Sequence, residues 1–312
     1  MAQHTTMDSA AVERAIELAT RAPSVHNTQP WQWRVGHTGI ELYADPAVSL
    51  PNADPDRRDL TLSCGVALHH LCAACAAAGW AAQVHRMPRV FEPNHLASIR
   101  LVAQVPTDED ISTAAAITQR RSDRRPYSAC PVPPQTVRSL IDGVSGHGVI
   151  ARAVSAPATR AFVAAAQRAA TRRHDSDPDY RIELATWSGG AHGSVDDGIA
   201  PQSFAIGKLA EGAASVGEGS TFIVIGTECD DILARLRAGE AASELLLTAT
   251  MLGLATCPIT EPLEFPDIRA AIGRELLDGQ YHGQLLIRIG LPAEGAAALP
   301  PTPRRSAAAE KR

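Results

Sequence analysis

Apolar positions Val12, Ala15, Ile16 and Ala19 recur at helical spacing, and Ser9 stands where an N-cap belongs. Pro23 pushes Ala22 towards extended backbone, so the predicted helix over 9–21 runs into Ala22-Pro23-Ser24. Two short runs at 31–35 and 40–44, broken by Gly36 and Gly39, predict a β-hairpin with three to five loop residues. A long helix over 59–78, strands over 81–86 and 99–105, and a proline-rich break at 126–134 follow. Beyond the break the pattern predicts helices over 135–143, 158–173, 231–252 and 266–277 and strands over 221–226 and 285–290. Helices and strands mix without a regular β-α-β alternation, so the fold class is α+β. Residues 175–206, rich in Asp, Gly, Ser and His, carry no period and read as a long loop, the kind that forms a lid or stays disordered.

One echo stands out. Gly65 to Gly79 and Gly239 to Gly253 each enclose an Ala- and Leu-rich helical stretch at the same spacing of fourteen. Low charge on both stretches suits two central helices packed on each other, although two Ala-rich helices can match by chance.

Composition narrows the picture. A chain of 312 residues with 45% hydrophobic and 20% charged residues can bury a sizeable core. A net charge of -5 lacks the basic surplus of a nucleic-acid binder. The opening residues are too polar for a signal peptide, and the most apolar run, 64–82, contains His69 and His70 and reads as a buried helix, not a membrane span. Six scattered cysteines suit a reducing compartment, so the expected location is cytoplasmic.

Three segments carry candidate chemistry. In Ala22-Pro23-Ser24-Val25-His26-Asn27-Thr28-Gln29-Pro30-Trp31, two prolines fix the backbone around hydroxyl and amide side chains that both donate and accept, as the edge of a heteroaromatic ring demands. A structural loop capping a helix end fits these residues equally well. In Gln119-Arg120-Arg121-Ser122-Asp123-Arg124-Arg125-Pro126, guanidinium forks and a hydroxyl suit a terminal phosphate. Pro303-Arg304-Arg305-Ser306 adds a third basic element, though basic runs are commonly just solvated surface.

Together these segments resemble the FMN-dependent nitroreductase family, specifically its dormancy-associated Acg-type branch. Pro-Ser-x-x-Asn-x-Gln-Pro-Trp at 23–31 and Arg-Arg-Ser-x-Arg at 120–124 are similar to its two signature segments. Gly253-Leu254-Ala255, Cys257-Pro258-Ile259-Thr260-Glu261, Gly290-Leu291-Pro292 and the basic 303–305 match in order. Ordinary members carry the Arg-Ser-Arg segment first; here the order is reversed. The resemblance therefore implies two fused nitroreductase-like halves, 1–115 and 116–312, that mimic the family dimer within one monomeric chain and keep one FMN site.

Carried over residue by residue, Pro23, Ser24, Val25, Asn27 and Gln29 would line the ring. Arg120, Ser122 and Arg124, with Arg304 and Arg305 and more weakly Arg121, would hold the phosphate. Pro258, Ile259 and Thr260 would run past the ring, Thr260 standing where many members carry an acid. The resemblance implies NAD(P)H as reductant, a small nitro or quinone-like acceptor, and no catalytic side chain, because the flavin supplies the chemistry. Its rival is a flavin-binding protein without turnover, closed by the 175–206 lid.

Cys72-x-x-Cys75 beside His69 and His70 invites zinc or thiol chemistry. Its place inside an Ala-rich helix favours small buried thiols instead, and no metal site is expected. His26 stays outside the predicted site, equally suited to touching a ligand or capping the preceding helix.

Overall fold

A computed structural model describes residues 7–36, 39–189, 219–305 and 310–311. The chain runs α1 (Ser9–Ala19), β1 (Trp31–Gly36), β2 (Gly39–Ala44), α2 (Arg58–Ala77), β3 (Trp80–Arg86), β4 (His95–Ala103) and α3 (Asp108–Gln119). It continues through α4 (Pro134–Gly143), β5 (Ile150–Val154), α5 (Pro157–Ser176), α6 (Pro178–Gly189), β6 (Thr221–Thr227) and α7 (Ile232–Met251). The last elements are β7 (Ala255–Ile259), α8 (Glu261–Glu264), α9 (Pro266–Leu276), β8 (His282–Gly290) and β9 (Glu310–Lys311).

The strands form two sheets of matching design. The first has the order β3-β4-β2-β1-β9 and the second β7-β8-β6-β5. In each, a strand pair precedes a 20-residue helix and another antiparallel pair follows it. The register slips at matching places, between Leu42 and Tyr43 in one sheet and between Ile225 and Gly226 in the other. α2 and α7 are offset by 174 positions throughout, and both terminate at a left-handed glycine, Gly79 (φ +85) and Gly253 (φ +71). The two helices cross at Gly65 and Gly239. A Cβ on Gly65 would run into the Leu236 carbonyl, and one on Gly239 into the Leu62 carbonyl, a reciprocal contact that marks a pseudo-twofold axis. The sequence echo is thus a structural duplication.

α2 is buried along nearly its whole circumference, between α1, α3, α7 and the first sheet. It is the one helix among the described residues long and apolar enough to cross a membrane, and the protein itself covers it. One core runs from Trp33, Leu42 and Ile99 on the first sheet, through Leu68, Leu71, Leu245 and Leu246, to Ile225 and Ile287 on the second. A second cluster, with Phe222, Val224, Leu263 and Ile272, covers the far face of the second sheet. β6 and β8, buried on both faces, therefore read as continuous apolar runs.

Several expectations need correction. Asp8, not Ser9, caps α1, its carboxylate accepting from the Ala11 amide at 2.6 Å. β1 and β2 end two residues apart, not three to five. The start of the predicted 175–206 loop is helical: α5 reaches Ser176 and α6 fills 178–189, while 190–206 lies outside the described residues. β5, β7 and α3 were not foreseen.

Candidate functional site

The loop before β1 is held in a strained form. His26 (φ 44), Asn27 (φ 58) and Gln29 (φ 52) all have left-handed backbone, a cluster that in non-glycine residues marks a functional constraint. Internal bonds fix it: Ser24 Oγ accepts from the Gln29 amide at 2.9 Å, and the Val25 amide donates to Ser63 Oγ on α2 at 3.2 Å. Pro23 is half-buried at its start.

The C-terminal arm, leaving β8, passes directly over this loop before β9 joins β1 in parallel. Arg304 Nη1 donates to Asn27 Oδ1 at 2.8 Å, and its Nη2 to the carbonyls of Arg21 and Ala22 at 3.0 and 3.2 Å. Asn27 Nδ2 donates to the Pro303 carbonyl at 3.1 Å, and the Arg305 amide donates to Gln29 Oε1 at 2.9 Å. The amide loop of the first half and the basic arm of the second, some 280 residues apart, thus meet.

Arg120 joins them. Buried at the end of α3, it reaches Ser122 Oγ and the Arg21 carbonyl, each at 3.4 Å. Ser122 forms a parallel bridge with Thr256 on β7. Arg121 turns aside to the carbonyls of Leu299, Thr118 and Arg120. Arg124 is exposed, although its charge acts on His26. Asp123 pairs with Arg125 at 2.7 Å.

Among the described residues no carboxylate salt-bridges Arg120, Arg121, Arg304 or Arg305. Among the described residues, Arg120 Nε, Arg304 Nε and Arg305 Nη2 are buried and have no hydrogen-bond partner. Burial, then repulsion from Arg304 and Arg121, pushes Arg120 down to about 9. Burial, then Arg21 and Arg121, pushes Arg304 down to about 10. Unpaired guanidinium donors facing one another are costly unless an anion takes them, so the donor set fits a phosphate group.

Around this centre, His26 is pushed down to about 4 by burial, Arg124 and His174, so its imidazole is neutral. Pro258 and Ile259 lie on β7 two and three positions beyond Thr256, and Thr260 precedes α8. Glu261, the acid beside Thr260, is occupied by Thr171 Oγ1 at 3.0 Å and His174 at 3.3 Å. α6 reaches across from the second half: Tyr180 and Leu184 pack on Leu50 and Ala53, with Val25 and Trp187 against them. Glu183 accepts from the Ala53 amide at 2.9 Å, and the Arg305 guanidinium lies 5.8 Å from the Trp187 ring.

Sequence reasoning missed Arg21 and Trp187. Arg21 sits immediately before the Ala22-Pro23-Ser24 segment and contributes a carbonyl, which no side-chain pattern reveals. Trp187 lies in a stretch that lacks periodicity. Cys72 and Cys75 carry thiols that burial raises, Cys75 to about 12, so both stay protonated as the buried-thiol reading expects.

The Nitroreductase family model matches residues 117–291. The chain is 44% identical to the Mycobacterium tuberculosis H37Rv protein named "Putative NAD(P)H nitroreductase Rv3131", over 96% of this chain and 90% of that one. It is 32% identical to that organism's "Putative NAD(P)H nitroreductase acg", over 96% of this chain and 95% of the other. The crystal structure of "a putative nitroreductase" from Anabaena variabilis superimposes with a TM-score of 0.51 at 11% identity, covering 93% of this chain and 90% of that one. A shared fold, a match over more than half its length and close relatives along almost all of it establish that the chain belongs to the nitroreductase family.

Proposed function

We propose that the protein is an FMN-dependent oxidoreductase with one flavin site per chain, built jointly by a ring-side half (1–115) and a phosphate-side half (116–312). The observation that carries this reading is the group of arginines, Arg120, Arg304 and Arg305, that each keep a buried guanidinium nitrogen without a partner, tied directly to the amide loop at Asn27 and Gln29.

Bound FMN would supply the redox chemistry, relaying electrons from NAD(P)H to a small nitro or quinone-like acceptor. The chain's own residues bind and orient. Arg120, Ser122, Arg304 and Arg305 hold the phosphate, with Arg124 at the rim and Arg121 bracing the arm through the Leu299 carbonyl. Pro23, Ser24, Val25, Asn27 and Gln29 hold the ring edge in a backbone fixed before binding, which limits the entropy lost on association. Pro258, Ile259 and Thr260 line the opposite side. Trp187 and α6 exclude water from the arm. The duplicated design supports a monomer that mimics a dimer, and six unpaired cysteines suit the cytoplasm.

α6 favours a second reading. Its contacts with Val25, Leu50 and Ala53 close one approach to the loop, as a flavin-binding protein without turnover would require. Anaerobic mixing of the flavin-loaded protein with NADH or NADPH separates the two. Bleaching of the flavin absorbance supports the enzyme, and an unchanged spectrum supports sequestration. A colourless protein that takes up no FMN defeats both.

A further inference from the structure

The pseudo-twofold axis makes a mirror of the arginine site, and the residues there have the opposite character. His69 and Ser243 are counterparts 174 positions apart and touch each other, with His69 Nδ1 2.8 Å from Ser243 Oγ, so the axis passes between them. Its operation carries the loop before β1 onto the segment before β5, which holds His147, and carries His70 of α2 onto Glu244 of α7. His70 feels Arg120 and Arg304 on the arginine side. On the mirror side, His147 Nε2 lies 2.5 Å from Glu244 Oε2 and its Nδ1 lies 3.6 Å from Glu240 Oε2. Glu240 is paired with Arg86 at 2.6 Å. One site gathers arginines without a carboxylate; the other gathers two carboxylates and two imidazoles around a single arginine.

We infer that this mirror site binds one divalent first-row metal ion, Zn²⁺ by its donor set, through His69, His147 and Glu244. Ligand atoms of these three side chains lie within 4.8 Å of one another, so small rotations bring them to a common centre. They come from α2, the turn over 144–147 and α7, so the ion joins both halves beside the axis. Two imidazoles and one carboxylate are borderline donors that suit zinc better than magnesium or calcium, which take oxygen ligands. The supporting contacts are present. Ser243 Oγ, shared with His70 Nδ1 at 2.7 Å, contacts Nδ1 of His69 and leaves Nε2 to bind, and the Glu240 carboxylate lies 3.6 Å behind His147. The Glu244 side chain is 34% exposed, which provides an entry path and room for a water as fourth ligand. Metal binding takes the place of the proton between His147 and Glu244. None of this depends on the flavin reading.

Calorimetric titration of the chelator-stripped full chain with Zn²⁺ alone tests the assignment. We expect one ion per chain and a rise in thermal midpoint on binding. His147→Gln and Glu244→Gln should each abolish detectable uptake while leaving FMN uptake unchanged, and Ser243→Ala should weaken metal uptake roughly 10–100-fold. Co²⁺ bound to the unmutated chain should give a visible spectrum of nitrogen and oxygen ligands without thiolate charge transfer, a readout independent of whether the variants fold. No stoichiometric uptake, uptake indifferent to both ligand substitutions, or a thiolate band that Cys72→Ser removes would overturn the proposal.

Discussion

The two sides of the pseudo-twofold axis share a backbone plan and differ in charge. On the side of Asn27, buried guanidinium donors converge with no carboxylate among them; on the side of His147, Glu240 and Glu244 take the equivalent ground. Under the proposed function, a phosphate would be stabilised at the first and repelled at the second. Duplication supplies two copies of a scaffold, and a few side chains on the central helices decide what each can hold. The comparison also extends to the connections. β1 and β2 are joined by a two-residue link, whereas α5 and α6 are inserted between β5 and β6, and α6 packs beside the loop of the arginine side.

The largest expected effect comes from removing the charge asymmetry. Charge-assisted hydrogen bonds are worth about 1.5–3 kcal/mol each. Replacing Arg120 and Arg304 together by alanine should therefore weaken FMN binding by roughly 10²–10⁴-fold, read by fluorescence titration of the flavin-free protein. Arg120 alone is a buried charge that has no counter-ion, so the flavin-free Arg120→Ala protein should melt no lower than the parent. Retained FMN affinity would remove the arginine side from the binding account.

Next in size is the scaffold that both sides share. Gly65→Ala and Gly239→Ala each push a Cβ into the opposing helix's backbone and should cost about 1–3 kcal/mol by urea denaturation. The reciprocal geometry predicts nearly equal losses. Gly36→Ala, where a Cβ meets nothing within 4 Å, is the control. A large inequality between Gly65 and Gly239 would mean that the axis is less exact than the helix crossing indicates.

A third prediction concerns the insertion found on one side only. His174 on α5 stacks on Tyr180 of α6 at 3.7 Å and faces Glu261 and Glu264. Burial alone would lower its pKa, but the hydrogen bonds to Glu261 and Glu264 push it up to about 9, above its ordinary 6.5. The resulting stabilisation is complete below the ordinary value and is lost as pH rises through about 9. His174→Asn should then cost on the order of 1.5 kcal/mol in weakly acid buffer, and the deficit should shrink as pH passes the folded value. Thermal melts of both proteins across that range check the sign.

How far the sequence foretold this arrangement depends on how local each signal is. α2 and α7 were legible because each is an apolar stretch running from an internal glycine, Gly65 or Gly239, to a terminating one, Gly79 or Gly253, and α1 because its buried stripe is regular. β7 was not, since Ala-Thr-Cys-Pro-Ile is short and carries a proline; the structure accommodates Pro258 because β7 is an edge strand. α3 opens with Asp-Glu-Asp, which reads as a polar loop, yet the Thr107–Asp110 capping box starts a helix there. The meeting of Asn27 with Arg304 was foreseen through family resemblance, since no spacing rule spans that separation. The gathering of His69, His147, Glu240 and Glu244 was not foreseen at all. Only the fold brings those elements together, and the duplication that places them opposite the arginines is visible in sequence just at the glycines.

The smallest expected effect sharpens the comparison by moving the arginine side one step towards its mirror. Asn27→Asp puts a carboxylate where Arg304 Nη1 now meets an amide oxygen at 2.8 Å. The new ion pair competes with phosphate for Arg304, while the lost amide donor leaves the Pro303 carbonyl without its bond from Asn27. Ion pairs at partly exposed sites are worth about 1 kcal/mol or less, so FMN binding should weaken by under about tenfold. Raising the salt concentration should narrow the gap to the parent protein, because screening weakens the competing pair. Asn27→Ala removes the same amide without adding charge and separates the two contributions. If alanine and aspartate weaken binding equally and salt changes neither, the amide geometry at Asn27 matters and the local charge does not, and the contrast between the two sides must then rest on Arg120 and Arg304 alone.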